Sequence, residues 1–365
     1  MTKREKEETE TRIVKLCILF TKAERKVELL EGQYGVTLIK SVALALPTYT
    51  FSIAAVPMTV CKQFDSTIRR FWWNPKKDKG NYLAWKSWES LCQTKEAGWL
   101  GFRASKMFNQ ALLAKFTWWI SFGRDSLCTR ALRSKYKVDD DWLGKDPCKN
   151  ASPLWKAIEK LRAVVKKGAC YIVGDGTSID MWKDLWVPWL EGFTPIPLHP
   201  NLIGTPMLVS NHFDPVSRLW KIDVLKNLVD PTSLAAILKI TVPAGAQQDR
   251  IIWTLNPSGC FAMKSAITSC LSPNTTYIQP NSLWQQLWKL NLHERLKVFL
   301  WRLGSNVLPT KQLLVQCTGF GDPMCPLCGL EEKSYSHLFL QCQVIRPILF
   351  GLRWGTSQHP PTMNF

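Results

Sequence analysis

Apolar residues recur at three- and four-residue steps through much of the chain, which is typical of helices that bury one face. The period is clearest in residues 106–120 and also runs through residues 38–73. In 106–120 the apolar positions on one face are Met107, Ala111, Ala114 and Trp118. Another helix is predicted to start at Ser152, because Pro153 occupies the first helical position after a serine N-cap. The pattern predicts a mainly α-helical protein.

Two short stretches are instead typical of β-hairpins, with turn-forming residues between apolar runs. The first covers residues 169–184, with the turn "GDG" at 174–176. The second covers residues 249–267, with the turn "NPSG" at 256–259 and a helix after it. The "GDG" turn lacks the spaced glycines and the following Lys-Ser/Thr of a phosphate-binding loop. The expected fold class is therefore mainly α with a few short β-hairpins (α+β).

Residues 41–61 contain no charged side chain, and a stretch of this length can span a membrane. However, Pro47 and Pro57 interrupt it, and several threonines and serines lower its hydrophobicity. The sequence thus favours core helices separated at the prolines, and no membrane association is expected.

Composition indicates a class of partner. The 365 residues suffice for two or three compact units, and 46% hydrophobic with 21% charged residues is ordinary for a folded protein. The formal net charge is +18. An excess of that size favours a polyanionic partner, and with the aromatic content it points to RNA or DNA bound with low sequence specificity.

The twelve cysteines lie mostly far apart. The start of the chain carries acidic residues throughout, unlike a secretory signal. We therefore expect an intracellular protein, of the nucleus or cytoplasm, whose cysteines are reduced and mostly buried. This compartment excludes a disulfide framework.

One cluster departs from that pattern, with the spacing Cys325-x2-Cys328-x8-His337-x4-Cys342. Structural zinc sites use four thiolate or imidazole ligands in a tetrahedron, and a Cys-x-x-Cys turn directs two thiolates at one ion. His337 and Cys342 are five residues apart, so they converge only if a helix begins near the histidine or its first turn is distorted. Four protein ligands leave no position for water, so the predicted Zn²⁺ is structural.

Two alternatives remain open for these residues. A Cys-x-x-Cys pair can be a redox site, but the alternating strands and helices of thioredoxin-like folds are missing nearby. The four residues can also be ordinary buried side chains. The surrounding sequence favours a small helical zinc module, because residues 292–303 form an amphipathic helix. Its predicted core face is Leu292, Leu296, Phe299 and Leu303.

These blocks together resemble a known family. The segment "LWKLNLHERLKVFLWRLGSNVLPTKQLL", followed by "CPLCGLEEKSYSHLFLQC", is similar to the zinc-binding domain of plant LINE-type (non-LTR retrotransposon) reverse transcriptases. Upstream, "FWWNPKKDKGNYLAWKSWESLC", "GWLGFRASKMFNQALLAK" and "VGDGTSIDMWKDLW" resemble its thumb and connector in the same order. The resemblance covers about residues 35–355. It implies a poorly matched charged lead-in at 1–35, a thumb/connector-like region at 36–280 and a reverse-transcriptase zinc-binding domain at 283–355.

The chain also departs from the family. The family usually has two adjacent glycines where this chain has Gly98 and Trp99. The catalytic aromatic-x-Asp-Asp motif and the RNase H carboxylates are missing, and in "YKVDDDWL" Tyr136 is three positions from Asp139 instead of two. The resemblance therefore implies a non-catalytic reverse-transcriptase fragment that binds nucleic acid and allows association with other retroelement proteins. The alternative is a subunit or remnant of an active RNA-directed DNA polymerase or RNase H that needs a partner chain.

Basic and aromatic residues near the predicted module supply candidate nucleic-acid contacts. The candidates for phosphate contact are Lys76, Lys77, Lys79, Arg295, Lys297 and Arg302, and those for base stacking are Trp72 and Trp301. For any single one of them, a solvated cation or a core tryptophan is the simpler interpretation.

Overall fold

A computed structural model of the chain describes residues 35–74, 80–122, 124–139, 141–245, 247–270 and 281–351. The predicted lead-in at 1–35, except its last residue, and the lysines at 76, 77 and 79 lie outside the described residues. The described residues are mainly helical and contain a single two-stranded sheet, so the predicted fold class is confirmed.

The α-helices are α1 (Gly35–Leu38), α2 (Thr48–Ile53), α3 (Met58–Trp73), α4 (Trp88–Cys92), α5 (Ser105–Ser121), α6 (Leu127–Lys135), α7 (Pro153–Lys160), α8 (Arg162–Lys166), α9 (Ile222–Leu225), α10 (Pro231–Ile237), α11 (Met263–Cys270), α12 (Ser282–Lys289), α13 (Glu294–Gly304), α14 (Lys311–Thr318) and α15 (Arg346–Gly351). The strands are β1 (Ala169–Ile172) and β2 (Arg250–Trp253). Short 3₁₀ segments cover Lys95–Ala97, Glu191–Phe193, Pro200–Gly204 and Val209–His212, and π turns cover Ile39–Ala43 and His337–Gln341.

The described residues form two compact units, each assembled from separate stretches of the chain. The first unit contains residues 46–64 and 103–270, and the second contains 35–45, 65–102 and 281–351. The predicted boundaries at 36–280 and 283–355 refer to sequence domains rather than to these units, and they stay a prediction.

Helix α5 is the centre of the first unit. Its predicted face does include the buried Ala111 and Ala114, but Asn109, Leu112 and Thr117 on other faces are buried as well. A helix that is buried on most sides has no single apolar face. The predicted face therefore included only some of the residues that α5 buries. The Asn109 amide donates to the carbonyls of Phe51 and Ala54, at 2.6 and 2.9 Å, and so joins α5 to α2.

The uncharged stretch is broken at its two prolines. Helix α2 follows Pro47, and α3 begins immediately after Pro57. Proline has no backbone N–H to donate to the preceding turn of a helix, so each of these prolines lies at a helix boundary. None of the described helices has both the length and the apolar character needed to cross a bilayer.

The two strands form one sheet with each other. β1 and β2 are antiparallel, with Ala169 opposite Trp253 and Ile172 opposite Arg250. β1 comes from the first predicted hairpin and β2 from the second. The two strands therefore pair with each other across the chain, rather than each within its own hairpin. The "NPSG" turn does form, since the Gly259 N–H donates to the Asn256 carbonyl at 2.9 Å.

The "GDG" turn closes around a carboxylate of the same unit. Asp249 accepts hydrogen bonds from the backbone N–H groups of Gly174, Gly176 and Ser178, at 2.7, 2.9 and 3.0 Å, and from the Ser178 hydroxyl at 2.8 Å. Converging N–H groups of this kind bind anions. Here Asp249 is that anion, so the loop serves to join β1 to the start of β2.

Residues 173–242 contain a large apolar core despite having little regular secondary structure, and we call them the loop-rich region. Its buried residues are Val173, Ile179, Met181, Trp182, Trp186, Val187, Val209, Phe213, Leu225, Val229, Ala236, Ile237 and Val242. The Trp186 indole N–H donates to the Met181 carbonyl at 3.0 Å, so this ring is buried with its polar group satisfied.

In the second unit, α12 and α13 pack against the "GWLGFR" segment. The Trp301 indole N–H donates to the Gly98 carbonyl at 2.8 Å. Gly98 has φ +89°, and a Cβ there would lie 2.5 Å from the Trp284 indole nitrogen. Both facts require glycine at 98. Trp99 is half-buried, with the Lys86 ammonium 5.9 Å from its ring centroid, so a large side chain is accommodated at the position where the family usually has its second glycine.

Helix α13 buries a different face from the predicted one. Its buried residues are Val298 and Trp301, whereas Leu296 is 49% exposed and Leu292 and Phe299 are also exposed. Both faces are apolar, so periodicity could not decide between them. The tryptophan face is buried because Trp301 packs beside Trp72, with ring centroids 6.1 Å apart.

Candidate metal centre

The first two candidate ligands lie on a tight turn that follows α14. The Gly329 N–H donates to the Cys325 carbonyl at 2.8 Å and closes the turn. Gly329 has φ +67°, a left-handed conformation that glycine adopts without strain. The turn places Cys325 and Cys328 on the same side of the chain, as the Cys-x-x-Cys spacing predicts.

Residues 323–333 fold back as a short antiparallel ribbon. The Cys325 N–H donates to the Glu331 carbonyl at 2.8 Å, and the Lys333 N–H donates to the Pro323 carbonyl at 2.7 Å. Met324 and Glu332 form a bridge between the two arms. We call this ribbon the knuckle; it holds the Cys-x-x-Cys turn at its tip.

Helix α14 supports the base of the knuckle through polar contacts. The Lys311 ammonium lies 3.4 Å from the Asp322 carboxylate and donates to the Met324 carbonyl at 3.2 Å. The Gln312 amide donates to the Glu332 carboxylate at 2.8 Å. These contacts are exposed or half-buried, and each is weak by itself.

The second pair of candidate ligands lies on a π turn. In a regular α-helix, five residues cover about 1.4 turns, so His337 and Cys342 would point in different directions. In the structure the Cys342 N–H donates to the His337 carbonyl at 2.7 Å, an i→i+5 bond that brings the two side chains onto one side. Of the two arrangements that the spacing left open, the distorted turn is the one present.

All four candidate side chains meet at one point. One ligand atom from each of Cys325, Cys328, His337 and Cys342 lies within 4.8 Å of the other three. The Cys328 Sγ is 3.3 Å from the His337 Nε2. Cys325, His337 and Cys342 are buried, and Cys328 is half-buried. In the part of the chain that the structure describes, this is the only set of three or more His, Cys, Asp or Glu side chains close enough to share a metal ion.

The electrostatics of the cluster favour negative charge on the Cys325 sulfur. The pKa of Cys325 is lowered to about 6, chiefly because the Cys328 N–H donates to its sulfur, with a smaller contribution from the Leu327 N–H, although burial opposes the shift. Burial also opposes a charge on His337, but its contacts with Glu331 and with the cysteines outweigh burial and raise its pKa. Both shifts stabilise thiolate beside positive charge.

A fifth residue contacts the cluster from outside. Glu331 accepts a hydrogen bond from the His337 Nδ1 at 2.7 Å, so the imidazole presents Nε2 to the sulfurs. The Ser334 hydroxyl accepts from the His337 backbone N–H at 3.0 Å and fixes the start of the π turn. Sequence reasoning missed both residues. A carboxylate six positions before a predicted histidine ligand was the available signal, because zinc-bound imidazoles commonly donate to one.

The predicted nucleic-acid contacts fare differently from the cysteine cluster. Trp72 and Trp301 are buried, as the simpler interpretation of a core tryptophan predicts, so neither offers a stacking surface. The Arg302 guanidinium lies 5.4 Å from the Trp72 ring centroid, and burial lowers its pKa. Lys297 is largely buried and pairs with Glu294 at 3.0 Å. Arg295 alone of the described candidates is exposed.

Comparison with known proteins agrees with the geometry. A family model described as zinc-binding in reverse transcriptase matches residues 261–348, which include all four candidate ligands. A putative ribonuclease H protein of Arabidopsis thaliana is 29% identical over 317 residues, or 84% of this chain. The chain spans 50% of the length of that relative.

A second relative is much shorter. An uncharacterized mitochondrial protein of Arabidopsis thaliana is 34% identical over 145 residues, or 40% of this chain. The matched region covers 94% of that protein, so nearly the whole relative corresponds to part of this chain.

Proposed function

Because the chain belongs to the plant retroelement-derived family that carries a reverse-transcriptase zinc-binding domain, we propose that it is a non-catalytic reverse-transcriptase segment, of LINE type, with one structural zinc site. Cys325, Cys328, His337 and Cys342 are the four ligands. The observation that carries the proposal is their convergence at one point from a tight turn and a π turn.

The donor set fits zinc in number, chemistry and distance. Zinc–sulfur and zinc–nitrogen bonds of about 2.3 and 2.0 Å place the ligand atoms of a tetrahedron about 3.5–3.8 Å apart. The four atoms, all within 4.8 Å of one another, need only small side-chain rotations to reach that spacing. Three thiolates and one imidazole complete the coordination shell, so the ion has a structural role.

The role that follows from the geometry is to join two local structures. The knuckle supplies Cys325 and Cys328, and the π turn supplies His337 and Cys342. Structural zinc contributes about 10–16 kcal/mol to small zinc-dependent folds at neutral pH. A contribution near this range exceeds what the exposed Lys311 and Gln312 contacts provide.

Metal analysis of the purified full-length chain tests this proposal. We expect one zinc per chain after dialysis, and loss of that zinc with a strong chelator at neutral pH. A preparation reconstituted with zinc that retains none after dialysis would refute it. A Cys317→Ser variant is the control, because Cys317 is exposed and lies outside the cluster.

The second part of the proposal is that the chain binds RNA or DNA through phosphate contacts. It is supported by the net charge of +18 and by exposed cations on α12 and α13, Lys289 and Arg295. Binding to a single-stranded oligonucleotide is expected to weaken steadily as salt rises. Affinity independent of salt would argue against phosphate contacts.

The third part is that the chain lacks polymerase and RNase H chemistry. Its support is the structural use of the residues nearest to a catalytic motif. Tyr136 stacks on Trp155 with ring centroids 4.0 Å apart, and Asp139 pairs with Lys145. With Mg²⁺ and either a primed template or an RNA–DNA hybrid, the purified chain should give no more product than a heat-inactivated sample.

A second candidate function rests on the longer relative. That protein is called a putative ribonuclease H protein, and this chain spans half its length. The alternative is that this chain is a subunit or remnant of an enzyme completed by another polypeptide or by other retroelement proteins. Turnover in the assay above, or turnover that appears only when a ribonuclease H domain is added, would favour this alternative.

A further inference from the structure

We infer that Glu331 is a positioning residue for the zinc site: its carboxylate fixes the His337 tautomer and thereby sets the affinity for the metal. The inference rests on the proposed zinc site and adds a residue that supplies no ligand atom. Glu331 lies three residues after Cys328 and six before His337, between the two ligand pairs.

The hydrogen bond itself fixes which imidazole nitrogen carries the proton. An ionised carboxylate only accepts hydrogen bonds, so the His337 Nδ1, 2.7 Å from the Glu331 Oε2, must be the donor. In a neutral imidazole the other nitrogen then has a free lone pair. That nitrogen, Nε2, is the one 3.3 Å from the Cys328 sulfur. The tautomer selected by Glu331 is therefore the one that a metal at the cluster requires.

Glu331 also contacts the first ligand pair through its backbone. Its carbonyl accepts from the Cys325 N–H at 2.8 Å. One residue thus contacts Cys325 through the main chain and His337 through the side chain. These two contacts hold the imidazole close to the knuckle before any metal binds. The entropic cost of ordering the ligands on metal binding is therefore smaller.

The neighbouring residue provides a matched control. Successive side chains of an extended ribbon point to opposite faces. Glu331 accordingly faces His337, whereas the Glu332 carboxylate accepts from the Gln312 amide of α14 at 2.8 Å. Replacing either residue removes one negative charge at nearly the same place, and only one of the two changes removes the contact with the imidazole.

The expected magnitude is moderate. Removing a partner of a metal-bound histidine usually weakens metal affinity about 10–100-fold. The side chain of Glu331 is 62% exposed, so water can replace part of its contact. We therefore expect about a tenfold loss for Glu331→Ala. Glu331→Gln, whose amide oxygen still accepts a neutral hydrogen bond, should lose less.

The test is zinc competition with a chromophoric chelator, using the full-length chain and the variants Glu331→Ala, Glu331→Gln and Glu332→Ala. Nitrogen-15 NMR of the imidazoles supplies a second measurement, because the nitrogen chemical shifts report which ring nitrogen carries the proton. Wild type and Glu332→Ala should show similar affinity and a His337 protonated at Nδ1. In Glu331→Ala the Nδ1 proton should exchange faster with water, together with the weaker affinity.

The outcomes separate this inference from the zinc proposal. If wild type holds one zinc but Glu331→Ala and Glu332→Ala bind it equally well, the positioning role is wrong and the zinc site stands. If wild type holds no zinc, both fail. If Glu331→Ala does not fold, Glu331→Gln decides: an affinity equal to wild type, with unchanged exchange of the Nδ1 proton, would overturn the role of the ionised carboxylate, because the amide keeps the acceptor and removes only the charge.

Discussion

The loop-rich region and the knuckle with its π turn are both poor in regular secondary structure, yet different interactions hold them together. In the loop-rich region, thirteen buried apolar residues, Trp186 among them, form one core. In the knuckle and π turn, the buried residues at the centre are Cys325, His337 and Cys342, and neighbouring Leu327, Leu330 and Leu340 are exposed. Where apolar burial is so small, a metal ion can supply the stability that a core supplies elsewhere.

The largest expected effect that tests this comparison comes from Cys342→Ser. Cys342 is fully buried and is the candidate ligand at the far end of the π turn. Replacing a thiolate with a hydroxyl should abolish tight zinc binding and release the backbone of residues 323–342, because the proposed zinc joins these two halves. We expect zinc content to fall to near zero and hydrogen exchange to rise in 323–342, with exchange in the loop-rich region unchanged.

The control is Cys317→Ser, which changes an exposed thiol in the same unit. It should retain zinc and wild-type exchange. If Cys342→Ser kept its zinc and its protected amides, the knuckle would be stabilised by its own packing and the contrast with the loop-rich region would disappear.

Much of this site could be predicted from the sequence because its information is local. The spacing identified the four side chains that converge, and the five-residue gap between His337 and Cys342 already predicted either a helix that begins near the histidine or a distorted first turn. Glu331 was missed because an exposed glutamate in a polar stretch carries no periodic signal. The face of α13 was mistaken because both of its faces are apolar and the choice depends on Trp72, which is more than two hundred residues away along the chain.

The sheet shows the same limit. The residues of β1 and β2 were identified as strands, but local turn signals suggested two separate hairpins. They pair instead with each other, and Asp249, just before β2, accepts from the N–H groups of the loop after β1. Such a contact spans more than seventy residues, and a turn pattern cannot reveal it.

The second-largest effect is expected from Trp186→Ala, which changes the apolar core of the loop-rich region and leaves the cysteine cluster intact. Trp186 is almost completely buried in the apolar core, and removing such a ring typically costs about 3–5 kcal/mol. The free energy of unfolding of the loop-rich region, measured by denaturant titration with hydrogen exchange, should fall by about that amount. The zinc affinity of the chain should not change, since no ligand lies in this region.

Trp189→Ala is the matched control, because Trp189 is 54% exposed in the same region. It should change stability by about 0.5 kcal/mol or less. A loss of zinc on Trp186→Ala would contradict the comparison, because it would show that the knuckle depends on the apolar core.

The smallest expected effect is on the pH dependence of the loop-rich region. His212 is buried, and neither of its ring nitrogens has a hydrogen-bond partner among the described residues. Burial, and to a lesser extent the charge of Lys221, lower its pKa below the usual 6.5. His212 therefore binds a proton near pH 6.5 in the unfolded chain, but only at a lower pH in the folded chain. Stability that is present above pH 6.5 should be lost progressively as the pH falls toward the lowered pKa.

His212→Leu removes this titration, so hydrogen exchange in residues 209–242, corrected for the intrinsic effect of pH, should change less between pH 7.5 and 5.5 than in wild type. His199→Leu, at an exposed histidine of the same region, should leave the wild-type slope intact.

Acid also protonates zinc ligands and weakens the knuckle, but that loss appears in 323–342 and in the zinc content. Equal slopes in wild type and His212→Leu would mean that the core of the loop-rich region is indifferent to this histidine. Its acid sensitivity would then have to come from carboxylates held by backbone N–H groups, such as Asp214, whose pKa is lowered by the Ser217 and Val216 N–H groups.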